Sequence, residues 1–390
     1  MRHKQFVAGV LTGAVCVTLA AGGIYFVHFK NYDGVLSSAK NVEKIEYLEK
    51  LIDEDYLGEV DEDNLADGVC TGLVYGLGDT YSRYYTADEY AQETASTDGS
   101  YVGIGVTIQK NDDGEVEIVE CQEDGSGEKA GLQAGDIITA IGDTDVSDME
   151  LSDVVKLIRE CGSDSVDITY KRDNAENTVS VDVTDVEVES VSGEMLDDNI
   201  GYIKITQFTG VTLSQYENVF EELKDKGMSK LIIDLRDNPG GLLTSVCDVL
   251  RQILPEGLIV YTEDKNGSRE EETCDGKNEL DMPLAVLVNG NSASASEIFA
   301  GAVQDYGIGT IVGTTTYGKG VVQEVKSLSD GSAVKLTVSN YYTPNGNSIN
   351  KVGITPDVEV ELSSELSDKT DITHEEDNQL QEAIKVVNEK

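Results

Sequence analysis

Histidine is nearly missing from this chain: three among 390 residues, at positions 3, 28 and 374. His3 and His28 flank an apolar stretch and His374 lies in an acidic tail, so none is placed to serve a folded core. This argues against Ser-His-Asp and Cys-His chemistry and against a zinc ion held by imidazoles. Six cysteines (Cys16, Cys70, Cys121, Cys161, Cys247 and Cys274) include no CxxC pair and no metal-site spacing. Five lie outside the apolar stretch, an odd and scattered set that reads as small buried hydrophobes rather than a disulfide framework. Basic residues are few as well, 29 against 74 acidic ones, for a formal net charge of −45. Such a surface repels phosphate backbones, so no nucleic-acid partner is expected. The plainest consequence of the charge is solubility.

What is present divides along the chain. Arg2, His3 and Lys4 precede an apolar run from Phe6 to Phe29, long enough to cross a bilayer as a helix. Basic residues ahead of it place the N-terminus inside and the remainder outside. Ala20-Ala21-Gly22-Gly23 offers a weak cleavage site, but the run continues through Ile24–Phe29, which favours an uncleaved anchor over a signal peptide. Residues 38–95 read as helical, with Val42, Ile45, Leu48 and Ile52 at helical spacing. From Ser100 to about Val188 the pattern is one of short strands (Val102–Ile108, Val116–Val119, Ile137–Ile141, Val166–Tyr170) interrupted by a helix over Leu151–Arg159. An α/β pattern follows. Strands are expected at Ile200–Ile205, Leu231–Leu235, Leu284–Val288 and Ile311–Val312, and helices at Ser214–Lys226, after Gly241 and at Ser296–Gln304. The unbroken apolar run at 284–288 predicts a strand buried on both faces. From about Ser363 the chain reads as a solvated acidic tail with a terminal helix at Gln379–Val387.

Three loops of the α/β region carry groups suited to chemistry. Asn291-Ser292-Ala293-Ser294-Ala295-Ser296-Glu297 joins the buried strand to a helix. A hydroxyl there faces backbone N–H groups and the positive end of a helix dipole, the environment of a serine nucleophile. The competing reading is a capping box, Ser294 with Glu297 three residues on. In Tyr317-Gly318-Lys319-Gly320 a lysine sits between glycines. Desolvated, it could serve as a base; otherwise it is an ordinary loop lysine. Residues 313–319 also match GxxxxGK, but Gly320 stands where a phosphate-binding loop needs Ser or Thr, and a strand rather than a helix follows. Leu235-Arg236-Asp237-Asn238-Pro239-Gly240-Gly241 has paired glycines that let backbone N–H groups face a carbonyl oxygen. All three loops lie where strands end, as sites in such sheets do. A seryl hydroxyl needs a base, no histidine is available, and Lys319 is the remaining candidate. Gln323, four residues on in a strand, is expected on the same face as Lys319 and able to orient its amine.

With these motifs, and with Asp79–Tyr85, Gly103-Ile104-Gly105, Ala130-Gly131-Leu132, Gly135-Asp136 and Tyr342-Thr343-Pro344-Asn345-Gly346, residues 40–362 resemble the carboxy-terminal processing peptidases, or tail-specific proteases. The resemblance implies that Ser294, the middle serine, is the nucleophile, with Lys319 the base 25 residues later and Gln323 the third member. It implies an oxyanion hole from the N–H of Ala295 and a glycine of the Gly240–Gly241 pair. The β-rich unit resembles a PDZ domain, with Gly103-Ile104-Gly105-Val106 in the place of the loop that captures a peptide carboxylate. Two departures stand out: Gly125-Ser126-Gly127 replaces the usual proline before the Ala-Gly-Leu turn, and Asp164-Ser165 replaces the usual Gly-Thr pair.

The expected architecture is therefore α/β and multidomain. A cytoplasmic tip and transmembrane anchor occupy 1–30 and a helical region 31–98. An inserted PDZ domain spans 99–187, an α/β serine protease core 188–362 and an acidic tail 363–390. The expected activity is endoproteolysis of protein substrates near their C-termini outside the cytoplasm, at the cell membrane, with no metal or cofactor. The PDZ domain is expected to bind substrate tails and gate the site, and a homodimer is left open. The rivals are a PDZ-containing scaffold with an inactive core and, more weakly, a P-loop nucleotide enzyme.

Overall fold

The computed structural model describes residues 34–159, 161–366, 369 and 372–390. The expected anchor over 1–30 lies outside them. Among the described residues no helix is long and apolar enough to cross a membrane. Two compact units divide between Leu73 and Val74. The helices α1 (Ala39–Asp55) and α2 (Glu62–Tyr75) bury no side chain. An i,i+4 pair between Lys50 and Glu54 (3.5 Å) lies on α1.

The second unit begins with β1 (Arg83–Tyr85) and α3 (Ala87–Asp98), whose Thr86 and Glu89 form a capping box. The β-rich region holds β2 (Ser100–Gly103), β3 (Val106–Lys110), β4 (Val116–Cys121), α4 (Ser126–Lys129), β5 (Ile137–Ile141) and β6 (Thr144–Asp145). It continues through α5 (Leu151–Arg159), β7 (Ser165–Arg172), β8 (Ala175–Asp182) and β9 (Thr184–Glu187). Its main sheet runs β3-β4-β5-β7-β8, so β3 is an edge strand, while β2 pairs with β9. The single strand expected at 102–108 is two strands, because Gly105 adopts φ +67° and breaks the pleat.

The remaining elements are β10 (Val191–Leu196), β11 (Ile200–Ile205), α6 (Thr212–Asp225), β12 (Lys230–Asp234), α7 (Leu243–Leu250), β13 (Gly257–Asp264) and β14 (Arg269–Cys274). After them come β15 (Leu284–Val288), α8 (Ala295–Tyr306), β16 (Thr310–Gly313), β17 (Val321–Ser327), β18 (Ala333–Tyr342), β19 (Val358–Glu359) and α9 (Asn378–Asn388). One sheet is ordered β10-β11-β12-β15-β16-β19, parallel from β11 onward. Its strands alternate strictly. Ile203, Ile205, Leu231, Ile233, Val286 and Val288 face one core with α6, α7 and α8. Tyr202, Ile232, Ala285, Leu287 and Val312 face the other. Both faces being covered, these strands read as apolar runs. A second sheet runs β1-β18-β13-β14 with β17 on β18, and of its strands the sequence shows only the one that follows Gly320.

The tail departs from expectation. Its terminal helix is packed rather than solvated: α9 buries Leu380, Ala383 and Val387 against Ile232, Leu287 and Val312. The spacing i, i+3, i+7 forms an apolar stripe that a count of acidic residues conceals. Asp377 caps this helix, accepting from the N–H of Gln379 and Leu380 (both 3.0 Å). Among the described cysteines, Cys247 and Cys274 are buried as expected, but Cys70 is exposed; none forms a disulfide. Burial pushes the Cys247 thiol up to about 12.

Candidate active site

Because β12, β15 and β16 are parallel, the loops 235–241, 289–294 and 314–319 leave the sheet on the same edge. Hydrogen bonds then lock loop to loop. Ser292 Oγ donates to the Leu235 carbonyl (2.7 Å) and Ser296 Oγ to the Asn238 carbonyl (3.0 Å). The Asn289 and Asn291 amides donate to Asp237 Oδ1 (3.0 and 2.8 Å). Both flanking serines are wholly buried, whereas Ser294 is partly exposed and holds φ +55°. A non-glycine residue at that φ is strained, a condition that surrounding packing must impose. Of the three serines, the middle one therefore presents its hydroxyl.

Glu297 is the centre of the arrangement. Fully buried, it accepts four hydrogen bonds. Its Oε2 receives the N–H of Ser294 (2.9 Å) and of Lys319 (2.8 Å). Its Oε1 receives the N–H of Gly318 (2.7 Å) and the hydroxyl of Thr316 (2.6 Å). The capping partner expected from spacing is thus also the clamp that sets the lysine loop against the serine loop. Sequence spacing shows the first role and hides the second, since Thr316 and Lys319 lie in another loop. Tyr341 was not singled out either. Its hydroxyl donates to the Lys319 carbonyl and lies within hydrogen-bonding reach of Ser294.

The Lys319 amine has no hydrogen-bond or ion-pair partner among the described residues. It lies 5.0 Å from the centroid of the Tyr81 ring. Its pKa falls below the ordinary lysine value, chiefly through burial and secondly through repulsion from Lys335, against the opposing pull of Glu297 and Glu93. No hydrogen bond joins it to Ser294 Oγ among the described residues, and such contacts are often loose without substrate.

Gln323 corrects an expectation. Its amide donates to Thr337 Oγ1 (3.2 Å) and to the Val321 carbonyl (3.4 Å), not to Lys319. Strand β17 begins only at Val321, and a register shift between Val322 and Gln323 breaks the alternation that would have put both side chains on one face.

The glycine pair approaches Ser294 closely. A Cβ on Gly240, whose φ is +105°, would lie 2.8 Å from Ser294 Cβ and 2.9 Å from the Ala295 nitrogen. The Gly240 N–H donates to Asn238 Oδ1 (2.8 Å). Among the described residues the N–H groups of Gly241 and Ala295 have no acceptor, and both remain available to an oxyanion.

In the β-rich region the Ile104 and Gly105 carbonyls accept from Gly127 (2.7 Å) and Gln122 (2.9 Å). Among the described residues their N–H groups donate to nothing. Gly127 explains one departure from the PDZ pattern: a Cβ there would meet the Ile104 carbonyl oxygen at 2.8 Å and Val106 Cγ1 at 2.6 Å.

Fold and site together define a serine and a desolvated lysine at the carboxyl edge of a parallel α/β sheet, in one chain with a PDZ-type β unit. Comparison with known proteins agrees. Peptidase family S41 matches residues 199–360, a PDZ domain matches 95–171, and the activating protease CtpB N-terminal domain matches 28–89. The carboxy-terminal processing protease CtpA of Bacillus subtilis (strain 168) is 35% identical over 364 residues, 92% of this chain and 77% of that protein. A probable CtpA-like serine protease of Staphylococcus epidermidis is 34% identical over 323 residues, 82% of this chain; this chain spans only 65% of that relative's length. Among solved structures, a photosystem II D1 C-terminal processing protease is 30% identical, covering 81% of this chain and 86% of that one at a TM-score of 0.47. The chain belongs to peptidase family S41, among the CtpA-like carboxy-terminal processing serine proteases.

Proposed function

We propose that this chain is a serine endopeptidase cutting protein substrates near their C-termini outside the cytoplasm, with Ser294 as nucleophile and Lys319 as general base. The observation that carries this reading is the Glu297 clamp, which joins the one presented hydroxyl of the serine triplet to a half-buried lysine whose amine makes no ion pair among the described residues. Neutral Lys319 takes the Ser294 proton as Oγ bonds to the scissile carbonyl carbon. The oxyanion is received by the N–H groups of Ala295 and Gly241. Lys319 then delivers its proton to the leaving amine, leaving an acyl ester on Ser294. Water, deprotonated by Lys319, attacks the ester and frees the enzyme. Gln323 supports the site from beyond direct contact with Lys319.

The open edge of β3 beside α5 suits addition of a substrate tail as a further strand, with its carboxylate at the N–H groups of Ile104, Gly105 and Val106 and with Gly103 leading the chain into that loop. Membrane anchoring through Phe6–Phe29 and exposure of the catalytic region outside the cytoplasm rest on the sequence pattern alone.

A fluorophosphonate probe tests the chemistry directly. Labelling should map to Ser294 and rise with pH as Lys319 loses its proton. Because the folded pKa is depressed, the rise should come at lower pH than the ordinary lysine value of 10.5. Labelling at another serine, or a rise centred at or above that value, would count against the dyad. Gly240→Ala should lower kcat on the order of 10²-fold or more by displacing Ser294 and the Ala295 N–H, read by steady-state kinetics on the purified variant. Unchanged kcat would remove the glycine pair from the oxyanion site.

A further inference from the structure

The segment 79–82 is absorbed by none of the roles above, yet it reaches the site. Asp79 gathers three donors: the Tyr81 N–H on Oδ1 (3.4 Å), and the hydroxyls of Ser82 (2.5 Å) and Thr337 (2.7 Å) on Oδ2. The Thr337 N–H in turn donates to Ser82 Oγ (3.0 Å). Gln323 joins this group through Thr337. The turn is therefore fastened to β18, and next to it β1 pairs with β18 by Arg83 opposite Lys335. What the fastening presents is the Tyr81 ring, facing the Lys319 amine. Burial, then Tyr317, holds the Tyr81 phenol above its ordinary pKa, so the ring stays neutral.

The chemistry explains why a ring serves where a carboxylate would not. A lysine amine on a four-carbon stem needs a wall to stay near its serine. An acidic wall would fix the ammonium form and abolish the base. An aromatic face attracts the ammonium weakly and excludes water, leaving the neutral amine accessible. We propose that Tyr81 is a positioning residue for the reaction. Held by Asp79, Ser82 and Thr337, with Gln323 bracing Thr337, its ring keeps the Lys319 amine beside Ser294 and out of water. This rests on the Ser294–Lys319 reading. It also gives Gln323 a role without a direct bond to Lys319.

The test compares kcat, KM and the pH profile of wild type with Tyr81→Phe, Tyr81→Leu, Tyr81→Ala and, as a control on the dyad, Lys319→Ala. Groups facing Lys319 are Glu297 from α8, Lys335 and Tyr341 from β18, Glu93 from α3, and Tyr81 itself. None but Tyr81 is altered in the Tyr81 series. Tyr81→Phe keeps the ring and should restore most of kcat. Tyr81→Ala should lower kcat on the order of 10²-fold with KM little changed. It should also move the acidic limb of kcat/KM to higher pH, since water then reaches Lys319. Tyr81→Leu keeps the bulk without the π face and should fall below Tyr81→Phe; it decides the question if Tyr81→Ala does not fold. Wild-type kcat and pH profile in Tyr81→Leu, with Lys319→Ala inactive, would overturn the inference and leave the dyad standing. Activity in Lys319→Ala would instead remove the dyad, and the inference with it.

Discussion

Ser294→Ala and Lys319→Ala should each reduce cleavage of an unstructured protein substrate to background, a loss on the order of 10⁴-fold or more in kcat. Both variants should fold. The Ser294 N–H keeps its bond to Glu297 when the hydroxyl is removed, and the Lys319 amine has no hydrogen-bond or ion-pair partner among the described residues, so truncating it orphans no buried group. Lys319→Arg sharpens the test, because a guanidinium keeps the charge but cannot accept a proton at working pH. It should be as inactive as the alanine variant. The neighbouring serines give the contrast. Ser292 and Ser296 donate to the carbonyls of Leu235 and Asn238, so their alanine variants should lose about 1–3 kcal/mol of stability and retain chemistry. Cleavage by folded Ser294→Ala at the wild-type rate would refute the assignment outright.

Arg236→Ala should be the most destabilising single change outside the hydrophobic cores. Arg236 is 13% exposed and contacts Asp234 Oδ2 (2.6 Å) and Asp377 Oδ2 (2.8 Å), with Gln379 Oε1 at 3.1 Å. Tyr202 donates to the same Asp234 (2.7 Å). Removing the arginine leaves two buried carboxylates without their cation, a cost of about 3–5 kcal/mol. It also frees the N-terminus of α9 from the loop that carries Asp237, Asn238 and the glycine pair. Denaturant unfolding should show a lower midpoint, and limited proteolysis should release the segment after Ser363. Burial alone would raise the Asp377 pKa, but the Arg236 contacts outweigh it and hold the carboxyl below its ordinary range. A depressed folded pKa contributes stability that is present above the unfolded value and lost as pH falls through the folded one. Acid should therefore loosen α9, and the Arg236→Ala variant should lose that dependence. An unchanged midpoint would show that α9 is held by its apolar stripe alone.

The sequence by itself determined the chemistry's cast. Scarce histidine removed the usual base, glycines around Lys319 marked a lysine able to approach backbone, and the apolar run at 284–288 announced a strand covered on both faces. Those signals are local and periodic, so a single chain displays them. Tertiary structure decided how the cast is held. Glu297 looked like a helix cap because the capping partner lies three residues away, while Thr316, Gly318 and Lys319 come from another strand's loop. Gln323 looked like a partner of Lys319 until the register shift after Val322 turned it toward Thr337. The acidic tail looked solvated because net charge says nothing of the apolar stripe Leu380, Ala383 and Val387 against β12 and β15. Each of these turned on contacts between segments apart in sequence: parallel strand ends for Glu297, an antiparallel pair for Gln323 and a sheet face for the terminal helix.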